Sequence, residues 1–325
     1  MQIGIINNYS NNYHQSFEGN LSNFSKKLDK ALAQKNNTVS CDDLVDLKDT
    51  LVKSRKKITK KHRLLGQGWR GQVYQIDEKY ALKTPSFFRQ GFKIPFFNKE
   101  FQPHLKCYYG DQIATFGDYG ILRNIGKHTP IGIPHAMSNS KTTLYTEINR
   151  YYEEKFLPMF ASLPQKAFDD VAKDCQTLNL LEDKNTGLRY IFDFANPNNF
   201  VIKGKKILIT DDIICAENVN NTTADLLRAM INYREFGVQN KHNEKTTPYF
   251  REIFKKIVLA GVKEGLPLGL NDKKCYWVNC AETLCQANKN ADEIISEIAN
   301  LKHQHQDRKA LVKATKEYLD TLFTQ

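Results

Sequence analysis

Gly66, Gly68 and Gly71, followed by Val73 and Lys83, fall in an order suited to holding a polyphosphate. The stretch reads Gly-Gln-Gly-Trp-Arg-Gly-Gln-Val-Tyr, then a short turn, then Tyr-Ala-Leu-Lys. Without Cβ atoms at three positions, backbone amides can approach phosphate oxygens and the chain can take positive φ. Val73 would cover a base. Lys83, on the next strand-like run, would hold the α and β phosphates of a nucleoside triphosphate through its ammonium. Trp69 is read as packing on its own hairpin, and Arg70 as facing either phosphates or solvent.

A second group of residues begins at Asp193 and runs through Pro197-Asn198-Asn199-Phe200-Val201-Ile202 to Ile207-Leu208-Ile209-Thr210-Asp211. An aspartate followed by an amide can accept a hydroxyl proton and help bind Mg²⁺, and a second aspartate after an apolar strand can bridge that metal to phosphates. Asp193 and Asp211 lie eighteen positions apart. The plainer alternatives are a solvent-facing strand lysine at Lys83 and a simple turn at Asp211 and Asp212.

These residues need elements to place them. Strand-like runs occupy Arg63–Leu65, Gln72–Ile76, Tyr80–Thr84, Ile113–Phe116 and Gly120–Ile125, a pattern that predicts a small antiparallel sheet. Between the third and fourth, Asn98–Tyr109 has room for a helix carrying Glu100 and limited by Pro103. Helical spacing marks Tyr145–Phe160 and Gln165–Leu181, a strand pair is expected at Arg189–Phe192 and Phe200–Ile209, and nearly everything from Thr223 onward reads as helix. Ahead of the glycines, Leu21, Phe24, Leu28 and Leu32 predict one helix, and Ser40 caps a second bearing Leu44, Leu47 and Leu51. The second runs into Lys53, Arg55, Lys56, Lys57, Lys60, Lys61, His62 and Arg63, which is either a solvated helix end or a polyanion site.

The chain has 325 residues, 41% of them hydrophobic and 26% charged, as expected of a folded globular protein. A net charge of +11 predicts attraction to polyanions. There is no apolar run long enough to span a bilayer and no signal-like N-terminus, so a cytosolic protein is expected. Seven cysteines without a Cys-x-x-Cys pair read as reduced thiols, and the spacing of Cys275, Cys280 and Cys285 fits a metal-binding helix only loosely.

From Arg63 to Ile213 the sequence resembles a divergent member of the protein kinase superfamily. Gly66, Gly68, Gly71 and Val73 match its glycine-rich loop, Ala81-Leu82-Lys83 its phosphate-binding strand, Asp193 its catalytic aspartate and Asp211 its metal-binding aspartate. Glu100, seventeen residues after Lys83, is the candidate partner of that lysine. Counting from Asp193 gives Asn198 as the metal-binding amide, whereas aligning Pro-x-Asn before the apolar run gives Asn199, which is preferred. The family's His-Arg-Asp reads Ile191-Phe192-Asp193, its Asp-Phe-Gly reads Asp211-Asp212-Ile213, and no Ala-Pro-Glu follows. Control by activation-loop phosphorylation is therefore not expected.

The resemblance implies an α+β, bilobal fold: a helical extension over residues 1–62, a small antiparallel-sheet lobe over 63–128, a mainly helical lobe over 129–250 and a helical C-terminal region over 251–325. It implies an ATP-dependent phosphotransferase, in the first place an atypical protein kinase, using Mg²⁺ or Mn²⁺. An inositol polyphosphate such as inositol hexakisphosphate, or a phosphoinositide, would suit the basic cluster as activator. The short segment after Asp211, the extra helices and the Asn- and Lys-rich composition resemble translocated effector kinases of intracellular bacterial pathogens such as Legionella. One alternative is a pseudokinase scaffold contacting a partner protein or membrane lipid through Lys273, Lys274, Tyr276 and Trp277. Another is a small-molecule kinase of aminoglycoside-phosphotransferase type. Nucleic acid fits least, because the basic residues concentrate at one place. The apolar stripe Ile294, Ile298, Leu301, Leu311, Tyr318 and Leu322 is expected to be buried.

Overall fold

The first five strand-like runs form one antiparallel sheet of β1 (Leu64–Gly68), β2 (Gly71–Gln75), β3 (Tyr80–Pro85), β4 (Gln112–Phe116) and β5 (Tyr119–Arg123). Its order is β1-β2-β3-β5-β4. The computed structural model describes residues 64–68, 71–75, 78, 80–85, 105–110, 112–116, 119–131, 150–181, 189–194, 197–210, 213–216, 219–231 and 244–323. The chain divides into two units, Met1–Phe97 with Gly110–Gly126 and Asn98–Tyr109 with Lys127–Gln325. The sheet belongs to the first. There β3 lies between β2 and β5, and its Ala81 and Leu82, which point to opposite faces, are both buried.

Most of the described part of the second unit is helical. A π-helical turn at Tyr152–Phe156 leads into α1 (Leu157–Ala161), and then come α2 (Gln165–Asn179), α3 (Thr223–Met230) and α4 (Thr247–Glu264). The turn Asn271–Lys273 leads into α5 (Lys274–Trp277), which continues as a π-helical segment, Val278–Leu284. Finally come α6 (Ala291–Gln304) and α7 (Arg308–Thr321). Reciprocal capping boxes start α3, from Thr222 and Asp225, and α6, from Asn290 and Glu293; each satisfies amides that the first helical turn leaves unpaired. Trp277 is fully buried, edge-on to Phe254, with its indole N–H donating to Leu268 O at 2.9 Å. Of the expected stripe, Ile294, Ile298, Leu301 and Leu322 are buried, while Leu311 and Tyr318 are half-buried. The fold is thus α+β, with a small antiparallel-sheet unit and a mainly helical one.

The expected pairing of Arg189–Phe192 with Phe200–Ile209 is not what forms. The longer run is itself a hairpin, β8 (Phe200–Lys203) and β9 (Lys206–Ile209), turning at Gly204 with φ 58°. Its continuous apolar flanks hide that turn, which only Lys203-Gly204-Lys205-Lys206 signals. β6 (Thr129–Pro130) joins the other side of β8, while β7 (Arg189–Phe192) pairs antiparallel with β10 (Ile213–Ala216), a strand that the alternation does not reveal.

Residues 105–110 are not helical. Tyr108 instead bridges Ile209 in parallel, with Tyr109 N donating to Ile209 O and Ile209 N donating to Cys107 O. The carboxylate of Asp174, buried on α2, accepts from Lys106 N at 2.8 Å and Cys107 N at 2.7 Å. Burial pushes its pKa up to about 6, outweighing the two amide donors, which favour the anion. A carboxyl whose folded pKa is raised binds an extra proton on folding, so this share of stability is present below about pH 4 and is lost as pH rises through about 6. Asp174→Asn keeps one acceptor oxygen and turns an NH₂ toward the second amide. It should lower stability at pH 7 by about 1–3 kcal/mol, and denaturant melts from pH 4 to 8 should lack the wild-type decline that this carboxyl contributes.

Candidate active site

In the first unit, strand register fixes which residues share a face. Gly68 opposes Gly71 at the end of the β1–β2 hairpin, and Gly66 opposes Val73. Val73 opposes Lys83 across β2 and β3, and Lys83 opposes Gly120 on β5. Directly opposed residues project to the same side of an antiparallel pair. One face therefore carries Val73, Ala81 and Lys83 side by side, with no side chain at Gly66 or Gly120 to obstruct it. Lys83 is 8% exposed, so it is not the solvent-facing lysine of the plainer reading. An apolar floor beside a single ammonium matches what a base and its phosphates require.

In the second unit, β7 ends at Phe192, and Asp193 follows it. The turn Pro197–Asn199 brings Asn199 back beneath Asp193: its Nδ2 donates to Asp193 O at 3.0 Å. Asn199 is buried, and its own carbonyl accepts from Thr210 N at 2.8 Å and Thr210 Oγ1 at 3.2 Å. The pairing of Phe200 with Ile209 and of Phe192 with Ile213 places both ends of the Thr210–Asp212 segment at these contacts. Asp193, Asn199 and Thr210 thus form one cluster, and Asp211 is the next residue in the chain. With Nδ2 committed to Asp193, the Asn199 amide keeps Oδ1, a hard oxygen suited to Mg²⁺ or Mn²⁺.

Asp211, Asp212, Glu100, Trp69 and Arg70 lie outside the described residues, as does the basic cluster of Lys53, Arg55, Lys56, Lys57, Lys60, Lys61, His62 and Arg63. Asn198 is described in its backbone alone. Among the described residues there is no group of three His, Cys, Asp or Glu side chains that would hold a metal ion. Cys280 and Cys285 are buried and Cys275 is exposed, so their regular spacing makes no ligand set. No described helix is long and apolar enough to cross a membrane.

The residues proposed to meet lipid have internal partners instead. Trp277 is core, Lys273 pairs with Asp225 at 2.8 Å, Lys274 pairs with Asp292, and Arg228 stacks over Tyr276 at 5.2 Å. A basic-aromatic cluster in sequence is here a set of packing and capping contacts, because α5 lies against α3 and the Lys273 ammonium reaches the α3 capping box.

Sequence reasoning missed Asn221, which binds the strand ahead of Asp193, and Asn179, which binds Asn221. Phe192 N donates to Asn221 Oδ1 at 3.0 Å, and Asn221 Nδ2 donates to Tyr190 O at 3.2 Å. The available signal was the run Asn220-Asn221-Thr222-Thr223, an amide just ahead of a capping threonine.

No protein-family model matches the chain, and no curated protein is significantly similar to it. Among solved structures it is similar to that of a gentamicin–APH(2")-IIa complex, with 13% identity and a TM-score of 0.30, over 86% of this chain and 98% of that one. So loose a superposition leaves the functional reading to rest on strand register and the Asn199 cluster.

Lys83→Met keeps most of the aliphatic stem and removes the charge. In thermal melts the variant should match the wild type without ligand, because uncharging a buried group offsets lost contacts. If this face holds a nucleotide, the wild type should be stabilised by millimolar ATP with Mg²⁺ and the variant should lose most of that stabilisation.

Proposed function

We propose that the protein is an ATP-dependent phosphotransferase of protein-kinase-like architecture. The observation that supports this most is the junction at Asn199, which ties the main chain of Asp193 to Thr210 and so groups a base, an amide oxygen and the residue before Asp211. Lys83, with Glu100 as its partner, would orient the α and β phosphates, and Gly66, Gly68 and Gly71 would let backbone amides meet them. Asn199 and Asp211 would hold Mg²⁺ or Mn²⁺, which when bound neutralises charge on the β and γ phosphates. Asp193 would take the proton of the acceptor hydroxyl as its oxygen attacks the γ phosphorus and ADP leaves. Inositol hexakisphosphate or a phosphoinositide remains the proposed ligand of the basic cluster from Lys53 to Arg63.

One observation favours a small acceptor, in the manner of aminoglycoside phosphotransferases, over a peptide. Eleven residues separate Asp211 from Thr223. Of these, Ile213–Ala216 are paired with β7, Asn221 is bonded to α2 and β7, and Thr222 caps α3. Little of the segment is left to lie along an extended peptide.

Purified protein incubated with γ-labelled ATP and Mg²⁺ or Mn²⁺, with and without inositol hexakisphosphate, tests the reading. Generic protein, inositol and amino-sugar acceptors would be supplied separately. Wild-type protein should transfer label and Asp211→Ala should lose at least about 10³-fold, the scale expected for groups that stabilise transferring phosphate. Undiminished turnover in Asp211→Ala would sink the assignment, and stimulation by inositol hexakisphosphate that vanishes when Lys56, Lys57, Lys60 and Lys61 are replaced would assign the basic cluster.

A further inference from the structure

We propose that Asn221 and Asn179 form an amide clasp that holds the strand ahead of Asp193, making both positioning residues for phosphoryl transfer; this rests on the reading above. β7 pairs with β10 along one edge, and its other edge has no strand partner among the described residues. Tyr190 and Phe192, two residues apart, turn their peptide groups toward the same edge. Asn221 meets both there: Nδ2 donates to Tyr190 O at 3.2 Å, and Oδ1 accepts from Phe192 N at 3.0 Å. A residue of a neighbouring parallel strand would supply the same donor and acceptor from its main chain. One side-chain amide stands in for a strand.

The clasp also has an anchor. Asn221 N donates to Asn179 Oδ1 at 2.7 Å, Asn221 Nδ2 donates to the same oxygen at 2.9 Å, and Asn179 Nδ2 donates to Asn221 O at 2.9 Å. Asn221 Nδ2 further reaches Cys175 O at 3.3 Å. Asn179 is the last residue of α2, and Asn221 immediately precedes the N-cap of α3. Two side chains therefore fix the end of β7 to two helices. Asn221 is fully buried, so water does not substitute for it. Asp193 is one peptide beyond the clasped Phe192 amide and is held from the far side by Asn199. Its main chain is set between two fixed points.

This function needs a donor and an acceptor in one planar group. In Asn221→Asp the carboxylate would still accept from Phe192 but would face three oxygens, those of Cys175, Asn179 and Tyr190. The charged groups around it are Asp174 on α2, Asp225 on α3, Arg189 on β7, Asp193 beyond it, and Lys273. The two cations are committed, Arg189 to Asn220 Oδ1 and Lys273 to Asp225. Among the described residues no counter-charge is left for the new carboxylate, so it would be favoured in its protonated form, which restores a donor.

The test is kcat and the KM for ATP, per folded protein, for wild type and Asn221→Asp between pH 5.5 and 8.5, with hydrogen exchange followed over Arg189–Phe194. At pH 8 the variant should lose about tenfold or more in kcat, within the range a small misplacement of a reacting group produces, with the KM for ATP unchanged. The deficit should shrink as pH falls, and exchange over Arg189–Phe194 should quicken and recover in step. Equal kcat and equal exchange at every pH would overturn the clasp, as would a loss that tracks the unfolded fraction alone. Should Asn221→Asp fail to fold, Asn179→Ala removes the anchor but spares the bonds to β7. It should quicken the same exchange and lower kcat about threefold, and no change in either overturns the proposal. If wild-type protein transfers no phosphate, the phosphotransferase reading fails, and the exchange measurement decides the clasp by itself.

Discussion

A side chain that reacts at the end of a buried strand must stay available while every peptide group beside it is hydrogen-bonded, since an unpaired buried amide or carbonyl costs as much as a lost bond. Around Asp193, the proposed base, that constraint is met largely by side-chain amides, beside the one described strand, β10, that pairs with β7. Asn221 takes the Phe192 amide, Asn199 takes the Asp193 carbonyl, and the Asn199 carbonyl takes both donors of Thr210. Amides suit the task because each supplies a donor and an acceptor without charge, so the main chain is satisfied and the local potential is left to the aspartates.

The sheet unit meets a related demand by omission. On the face shared by Val73, Ala81 and Lys83, the position opposite Val73 on β1 is Gly66 and that opposite Lys83 on β5 is Gly120, while Leu122 stands opposite Ala81. Space is made by leaving out side chains, while β3, flanked on both edges, holds the lysine in a fully paired strand. A charge kept 8% exposed in such a strand is held in one place, which suits binding a phosphate better than screening one in solution.

Much of the sheet was legible because its strands alternate in hydrophobicity and are separated by Gly and Pro, which signal turns directly. The helices at α2, α4, α6 and α7 were legible for the same local reason. What escaped was set by contacts between distant residues. β10 is short, and its partner β7 lies more than twenty residues earlier; the β8–β9 turn is masked by apolar runs on either side. The run Asn98–Tyr109 has room for a helix in sequence, but its Lys106 and Cys107 amides are claimed by Asp174, nearly seventy residues later. Lys273, Lys274, Tyr276 and Trp277 read as a lipid site because sequence does not show that Asp225, Asp292 and Arg228 stand opposite them. Asp193 is proposed from its neighbours in the chain. Asn221, nearly thirty residues on, draws attention only through the backbone it meets.

The assignment of Asn98–Tyr109 to the second unit, between stretches belonging to the first, bears on how the protein can be made and inherited. A gene segment encoding Met1–Gly126 would carry away the residues that satisfy Asp174 and pair with Ile209, leaving the helical unit with a stranded buried carboxylate and an open strand edge. Neither unit corresponds to one uninterrupted piece of polypeptide. Recombination that shuffles one without the other must break a hydrogen-bonded seam, so the two are expected to have been copied, translated and lost together.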